Sequence, residues 1–215
     1  ALSSITEYFH ADQAASQALL SGFFIPMALF PLVYGTLSDR FGRRPPLLFS
    51  LAILALGGLL GALSESFEIL VLARALQGLG NASIILIVVT IINDSYERSD
   101  AVRVLATISG IMMIVPAFSF AFGGLITDLI SWKGIMIVIF LTGIISLVLS
   151  LIYLPETNLR PLQNFNLTSL TRDYLSLLTN RVYIACMFVS TFIVGGWLTM
   201  LGFVPFEYQR RGVDS

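Results

Sequence analysis

The sequence predicts an all-α fold, a polytopic bundle of helices that cross a lipid bilayer. Hydrophobic residues make up 56% of the 215 residues and the mean hydropathy is +0.88. Charged residues make up 12%, against about 25% in soluble domains. The apolar residues are gathered into six uncharged or nearly uncharged runs, each long enough for a bilayer core that needs about 20 helical residues. In lipid the backbone must satisfy its own hydrogen bonds, so such runs form helices.

Taken in order, residues 1–13 carry Glu7, His10 and Asp12 without a basic residue and read as the tail of a helix followed by an extracytoplasmic loop. The first full run is Ala14 to Ser38, with Pro26 and Pro31 as kinks that a membrane helix tolerates. The second, Pro45 to Ser64, carries Gly57 and Gly61 at a spacing that favours close helix contact. The third, Ile69 to Asn93, is interrupted only by Arg74. The fourth is Val104 to Thr127, the fifth Gly134 to Pro155 and the sixth Val182 to Phe206. Between the last two, Leu167, Leu170, Tyr174 and Leu177 or Leu178 recur near helical spacing, which predicts a short helix lying on the membrane face.

Basic residues set the orientation. Arg40, Arg43 and Arg44 lie in the first loop, Arg98 and Arg103 in the third, and Arg160, Arg172 and Arg181 in the fifth, whereas the even loops supply only Lys133. The odd loops are therefore expected on the cytoplasmic side. Trp132 and Tyr153, near opposite ends of the fifth run, fit interfacial aromatics. No basic n-region precedes a short apolar run, so a signal peptide does not account for the hydrophobicity.

Several function classes are excluded. A net charge of -1 lacks the basic excess that nucleic-acid binding needs. One cysteine, Cys186, and one histidine, His10, leave no disulfide framework, metal cluster or hydrolytic triad, and no cofactor is expected. Cys186 sits in an apolar run and is expected as a small buried hydrophobe, and His10 reads as a solvated loop residue.

The chemistry-bearing stretch is the loop Gly35-Thr36-Leu37-Ser38-Asp39-Arg40-Phe41-Gly42-Arg43-Arg44-Pro45, short and charged between two apolar runs. Gly35 permits close helix approach and Gly42 can supply a turn with positive φ. Within the third run, Arg74 is a charge at membrane depth, where insertion costs about 2.5–3.5 kcal/mol and a partner or water is required. Gln77, Gly78 and Asn81 follow at i+3, i+4 and i+7, so one helix face is polar and small and should line the bundle interior. Snorkelling of Arg74 to the outer interface is the competing reading. Asp94, past the other end of that helix, either reaches the first loop or is a solvated member of the charged run to Arg103.

Read together, G-x-L-S-D-R-x-G-R-R between two spans resembles the loop after the second helix of the major facilitator superfamily of transporters. Arg74-Ala-Leu-Gln77-Gly78-Leu-Gly80 is similar to the superfamily's fourth-helix motif, whose arginine assists proton transfer. The run holding Pro116, Ser119, Gly123 and Gly124 resembles the fifth-helix packing motif of the drug/proton antiporter branch, with Pro116, Gly123 and Gly124 matching its bicyclomycin-resistance form, although Phe120 stands where that branch has proline and Ser119 where it often has glycine. The bland reading of that run is a kinked helix with close packing. Pro155-Glu156-Thr157 also occurs in the branch.

The resemblance implies an incomplete major facilitator fold, helices two to seven of twelve. Residues 1–13 would end the first helix, 14–155 hold the rest of the amino-terminal half, 156–181 form the cytoplasmic loop between halves, and 182–215 begin the carboxy-terminal half. It implies a non-enzymatic, proton-coupled exporter of small amphipathic compounds in the bacterial inner membrane. Its partners would be substrate, protons and the lipid bilayer, with no nucleic acid, and the complete protein would be a monomer. Arg43 would pair with Asp94, Asp39 would face a helix of the other half, and Arg74, Gln77, Gly78 and Asn81 would serve proton coupling or line the cavity. A facilitator or importer of the same superfamily, and a non-transporting membrane receptor on the same bundle, are the alternatives.

Overall fold

A computed structural model describes Ile5, Tyr8, Phe9 and residues 13–158 and 179–210. Among the described residues seven helices are formed: α1 (Gln13–Phe41), α2 (Arg44–Ala62), α3 (Phe67–Asn81), α4 (Ile84–Ser95), α5 (Arg98–Leu129), α6 (Trp132–Tyr153) and α7 (Arg181–Arg210). No strand occurs among the described residues. The chain divides into one unit over residues 1–163 and a second over 164–215. Within the described part of the second unit, α7 is the single helix, and Cys186 on it is exposed among the described residues rather than buried as expected. Glu7, His10 and Asp12, and the membrane-face helix expected around Leu167 to Leu178, lie outside the described residues.

Each of the six apolar runs is helical. Among the described residues, four rods are long and apolar enough to cross a membrane: Gln17–Phe41, Arg44–Ala62, Phe67–Ser95 and Trp132–Tyr153. α1 stays one helix through Pro26 and Pro31. The third run departs from expectation by breaking into α3 and α4 at Ala82 and Ser83. Gly78, Gly80, Asn81 and Ser83 are weak helix formers, and the same stretch is pinched between neighbours. A Cβ on Gly80 would lie 2.7 Å from the Ser50 carbonyl oxygen of α2, and one on Gly78 would overlap the Phe23 backbone of α1.

α2 is the central rod. It packs along α3 on one side and α6 on the other, while α1 packs along α3. Glycines set the approach: a Cβ on Gly57 would lie 2.8 Å from the Gln77 amide nitrogen, and one on Gly58 would strike the Phe140 backbone of α6. The expected contact role of Gly57 and Gly61 is thus shared with Gly58, which faces the other neighbour. Buried Leu47, Leu51 and Ile87 form one apolar cluster, and Ile5, Leu19, Leu70, Trp132 and Met136 form another towards the opposite end.

The α3 start is fixed by Ser66, whose hydroxyl accepts a 3.4 Å hydrogen bond from the Ile69 amide, with Glu68 in the first turn favoured by the helix dipole. α2 begins differently. Pro45 and Pro46 preset its first turn, its N-cap Arg43 makes no side-chain cap, and no acid lies in the turn. That leaves the start of α2 dependent on a group from elsewhere.

Candidate functional site

Two sites emerge, at opposite ends of the α3–α4 rod. The first is the charged loop between α1 and α2. Gly42 has φ +95°, the conformation expected of it, and is buried. This turn reverses the chain so that Arg43 projects back across the end of α1. Its Nη1 donates to the Asp39 carboxylate and, at 3.2 Å, to the Ser38 hydroxyl, while Nε donates to Asp94 Oδ2 at 2.9 Å. One guanidinium thereby joins the ends of α1, α2 and α4.

The Arg43 side chain is 13% exposed, against 50% for Asp39 and 30% for Asp94. Burial alone would lower the Arg43 pKa, but the hydrogen bonds and charges of Asp39 and Asp94 raise it above the ordinary arginine value. Asp94 therefore does reach the first loop. Asp39, expected to face the other half, already holds Arg43 and keeps half its side chain open. Arg40 lies with its guanidinium 5.1 Å from the Phe41 ring centroid. A Cβ on Gly35 would meet Leu86 of α4 in ordinary contact, 3.7 Å from its Cδ2.

The residues after α6 complete this site, a function that sequence reasoning missed. Glu156 Oε1 accepts the Arg43 amide at 2.8 Å and Oε2 the Arg44 amide at 3.1 Å. The same carboxylate accepts the amides of Thr157 and Asn158 at 3.0 and 2.9 Å. Burial would raise the Glu156 pKa, but these four backbone donors hold it below the usual carboxylate range. Asn158 Nδ2 reaches the Asp39 carbonyl oxygen at 3.3 Å, and Arg44 Nη2 the Leu151 carbonyl oxygen at 2.8 Å. A usable signal was present: an acid just past a span end, on the same expected membrane side as a helix start without an acid.

The second site surrounds Arg74. Its guanidinium stacks 4.5 Å from the Phe23 ring centroid of α1, and Nη1 donates to Gln77 Oε1 at 2.8 Å. Gln77, 1% exposed, donates from Nε2 to the Gly57 carbonyl oxygen at 3.1 Å. Arg74 is thus turned into the bundle rather than out to lipid. Among the described residues no carboxylate pairs with it. It lines a cavity of about 140 Å³ with Ile5, Leu19, Leu70, Trp132 and Met136. Gly78 packs on the Phe23 backbone, and the Asn81 amide faces the Met27 sulfur at 3.9 Å. The polar stripe is therefore divided between α1 and α2.

The α5 motif stands apart from both sites. Pro116 lies within the helix, and Ser119 donates to the Val115 carbonyl oxygen at 2.8 Å. No described residue comes within 4 Å of a Cβ placed on Gly123 or Gly124. Among the described residues nothing covers the face expected to pack closely. Among the described residues no group of acidic, histidine or cysteine side chains could hold a metal ion.

Comparison with known proteins gives the context. The family model described as Major Facilitator Superfamily matches residues 1–214. An uncharacterized transporter of Rickettsia bellii (strain RML369-C) is 34% identical over 196 residues, 91% of this chain and 47% of that protein. Multidrug resistance protein MdtM of Escherichia coli (strain K12) is 26% identical over 181 residues, 84% of this chain and 44% of its own length. A bicyclomycin resistance protein homolog of Haemophilus influenzae is 28% identical over 184 residues, 84% of this chain and 46% of its own length. The chain spans about half the length of the curated relatives it matches.

Proposed function

The chain belongs to the Major Facilitator Superfamily, and from that premise we propose that it is part of a secondary active transporter that exports small amphipathic or cationic compounds in exchange for protons. It is a multi-pass membrane protein, and the bacterial inner membrane is its proposed location. The observation that carries the reading is the Arg43 junction. A single guanidinium holds three helix ends through Asp39, Asp94 and Ser38, at the face where positive residues collect. Such a junction is a latch with two discrete states, made or broken, as rocking of two bundles requires.

Arg74 supplies the second element. Among the described residues no carboxylate stands close enough for this desolvated cation to stabilise it. In the complete protein Arg74 is poised to lower the pKa of an acid presented from elsewhere, through charge proximity. Similarity to proteins named for multidrug and bicyclomycin resistance supports the substrate class. The rival reading, a facilitator or importer, draws on the departures from the fifth-helix motif, Phe120 in place of proline and Ser119 where glycine is frequent.

The test is efflux of a lipophilic cationic dye from cells expressing the complete protein, with and without a protonophore. Export that collapses on adding protonophore, and that falls at least about tenfold in Arg74→Gln, is the expected result. Protonophore-insensitive movement in both directions would instead identify a facilitator.

A further inference from the structure

We infer that Glu156 is the positioning residue of the Arg43 junction: its carboxylate, delivered from the end of α6, caps α2 in trans and sets the register in which Arg43 meets Asp39 and Asp94. This deepens the latch reading and rests on it for its role in transport. The cap itself is a matter of geometry. α2 opens with Arg44-Pro45-Pro46, and the two prolines have no amide hydrogen, so the amides of Arg43 and Arg44 are the donors left at its positive end. Glu156 takes both, one on each oxygen.

A second, independent observation is steric. The position a Cβ would occupy on Gly42 is filled by the Glu156 carboxylate, with Cδ 2.6 Å away. Gly42 is thus constrained twice, by its φ of +95° and by the acid lying on it. Arg43 is held at its backbone by α6 and at its side chain by α1 and α4, so its guanidinium cannot shift without one of these letting go. Asn158 adds a further tie to the Asp39 carbonyl oxygen. The latch is therefore controlled from the segment that follows α6, although Glu156 touches neither Asp39 nor Asp94 in any hydrogen bond described.

Amide hydrogen exchange on the protein in lipid nanodiscs reads the cap directly, because residues 43–46 contribute only the two amides in question. In Glu156→Gln they should exchange roughly ten- to a hundredfold faster, while α3 amides keep their protection. Glu156→Asp, which keeps the charge on a shorter arm, should fall between the two, and Glu65→Gln should change nothing. Unchanged protection at residues 43 and 44, or equal loss across α3, would overturn the proposal.

The steric half has its own readout. Gly42→Ala should lower the thermal midpoint less in a Glu156→Ala background than in the parent, since one of its two penalties is gone. Additive losses would overturn it. Neither measurement needs transport, so absence of dye export by the complete parent protein, with both results intact, would sink the transporter reading alone.

Discussion

Replacing Arg43 by Gln removes the cation while keeping the backbone amide that Glu156 accepts. The loss has two arms. A hydrogen bond to a charged group contributes about 1.5–3 kcal/mol when desolvated, but exposed ion pairs contribute only about 0.2–1. The Asp39 side chain is 50% exposed and the Asp94 side chain 30%, so the first arm belongs near the bottom of the exposed range and the second near its top. The sum is roughly 1.2 kcal/mol. For a chain of this size that is a fall of about 2–5 °C in the unfolding midpoint. Thermal unfolding in detergent micelles of Arg43→Gln, Asp94→Asn and the double variant measures it. The double variant should be no worse than Arg43→Gln, a coupling of about 1 kcal/mol. Losses that add within about 0.3 kcal/mol would refute the junction as an energetic unit.

Glycine positions should separate sharply. Gly58→Leu drives a side chain into the Phe140 backbone, so α2 and α6 must part and the protein should lose several kcal/mol and fail to accumulate in membranes. Gly123→Ala, with no described residue within 4 Å, should leave the yield and midpoint of this chain unchanged. Acid should loosen the cap with a definite sign. The Glu156 pKa is depressed on folding, so its contribution is present above the ordinary carboxylate pKa of about 4.3 and is lost as pH falls through the folded value. The parent should therefore lose midpoint relative to Glu156→Gln between roughly pH 5 and pH 3.

The helices were legible in the sequence because apolar length alone decides what a bilayer accepts, and all six runs form helices. The break at Ala82 and Ser83 was not, since it arises from backbones pressing on Gly78 and Gly80, and no single run records its neighbours. Asp94 was placed near Arg43 by resemblance, not by spacing: 51 residues separate them, and only packing of α4 beside α1 and α2 brings them together. Arg74 was visible as a charge that needs a partner. That its partners are an aromatic ring and an amide follows from Phe23 and Gln77 sharing its depth in the bundle. Glu156 was overlooked because its partners are main-chain amides, which leave no residue-type signature 113 positions away.

That separation has a consequence for biosynthesis. A ribosome delivers the loop, then three further spans, before α6 and Glu156 emerge. Until then the first turn of α2 has no anion on its amides, and the groove at Gly58 has no helix in it. The nascent chain therefore reaches the membrane with the Arg43 junction still incomplete, and the last rod of this unit to be inserted is the one that fastens it.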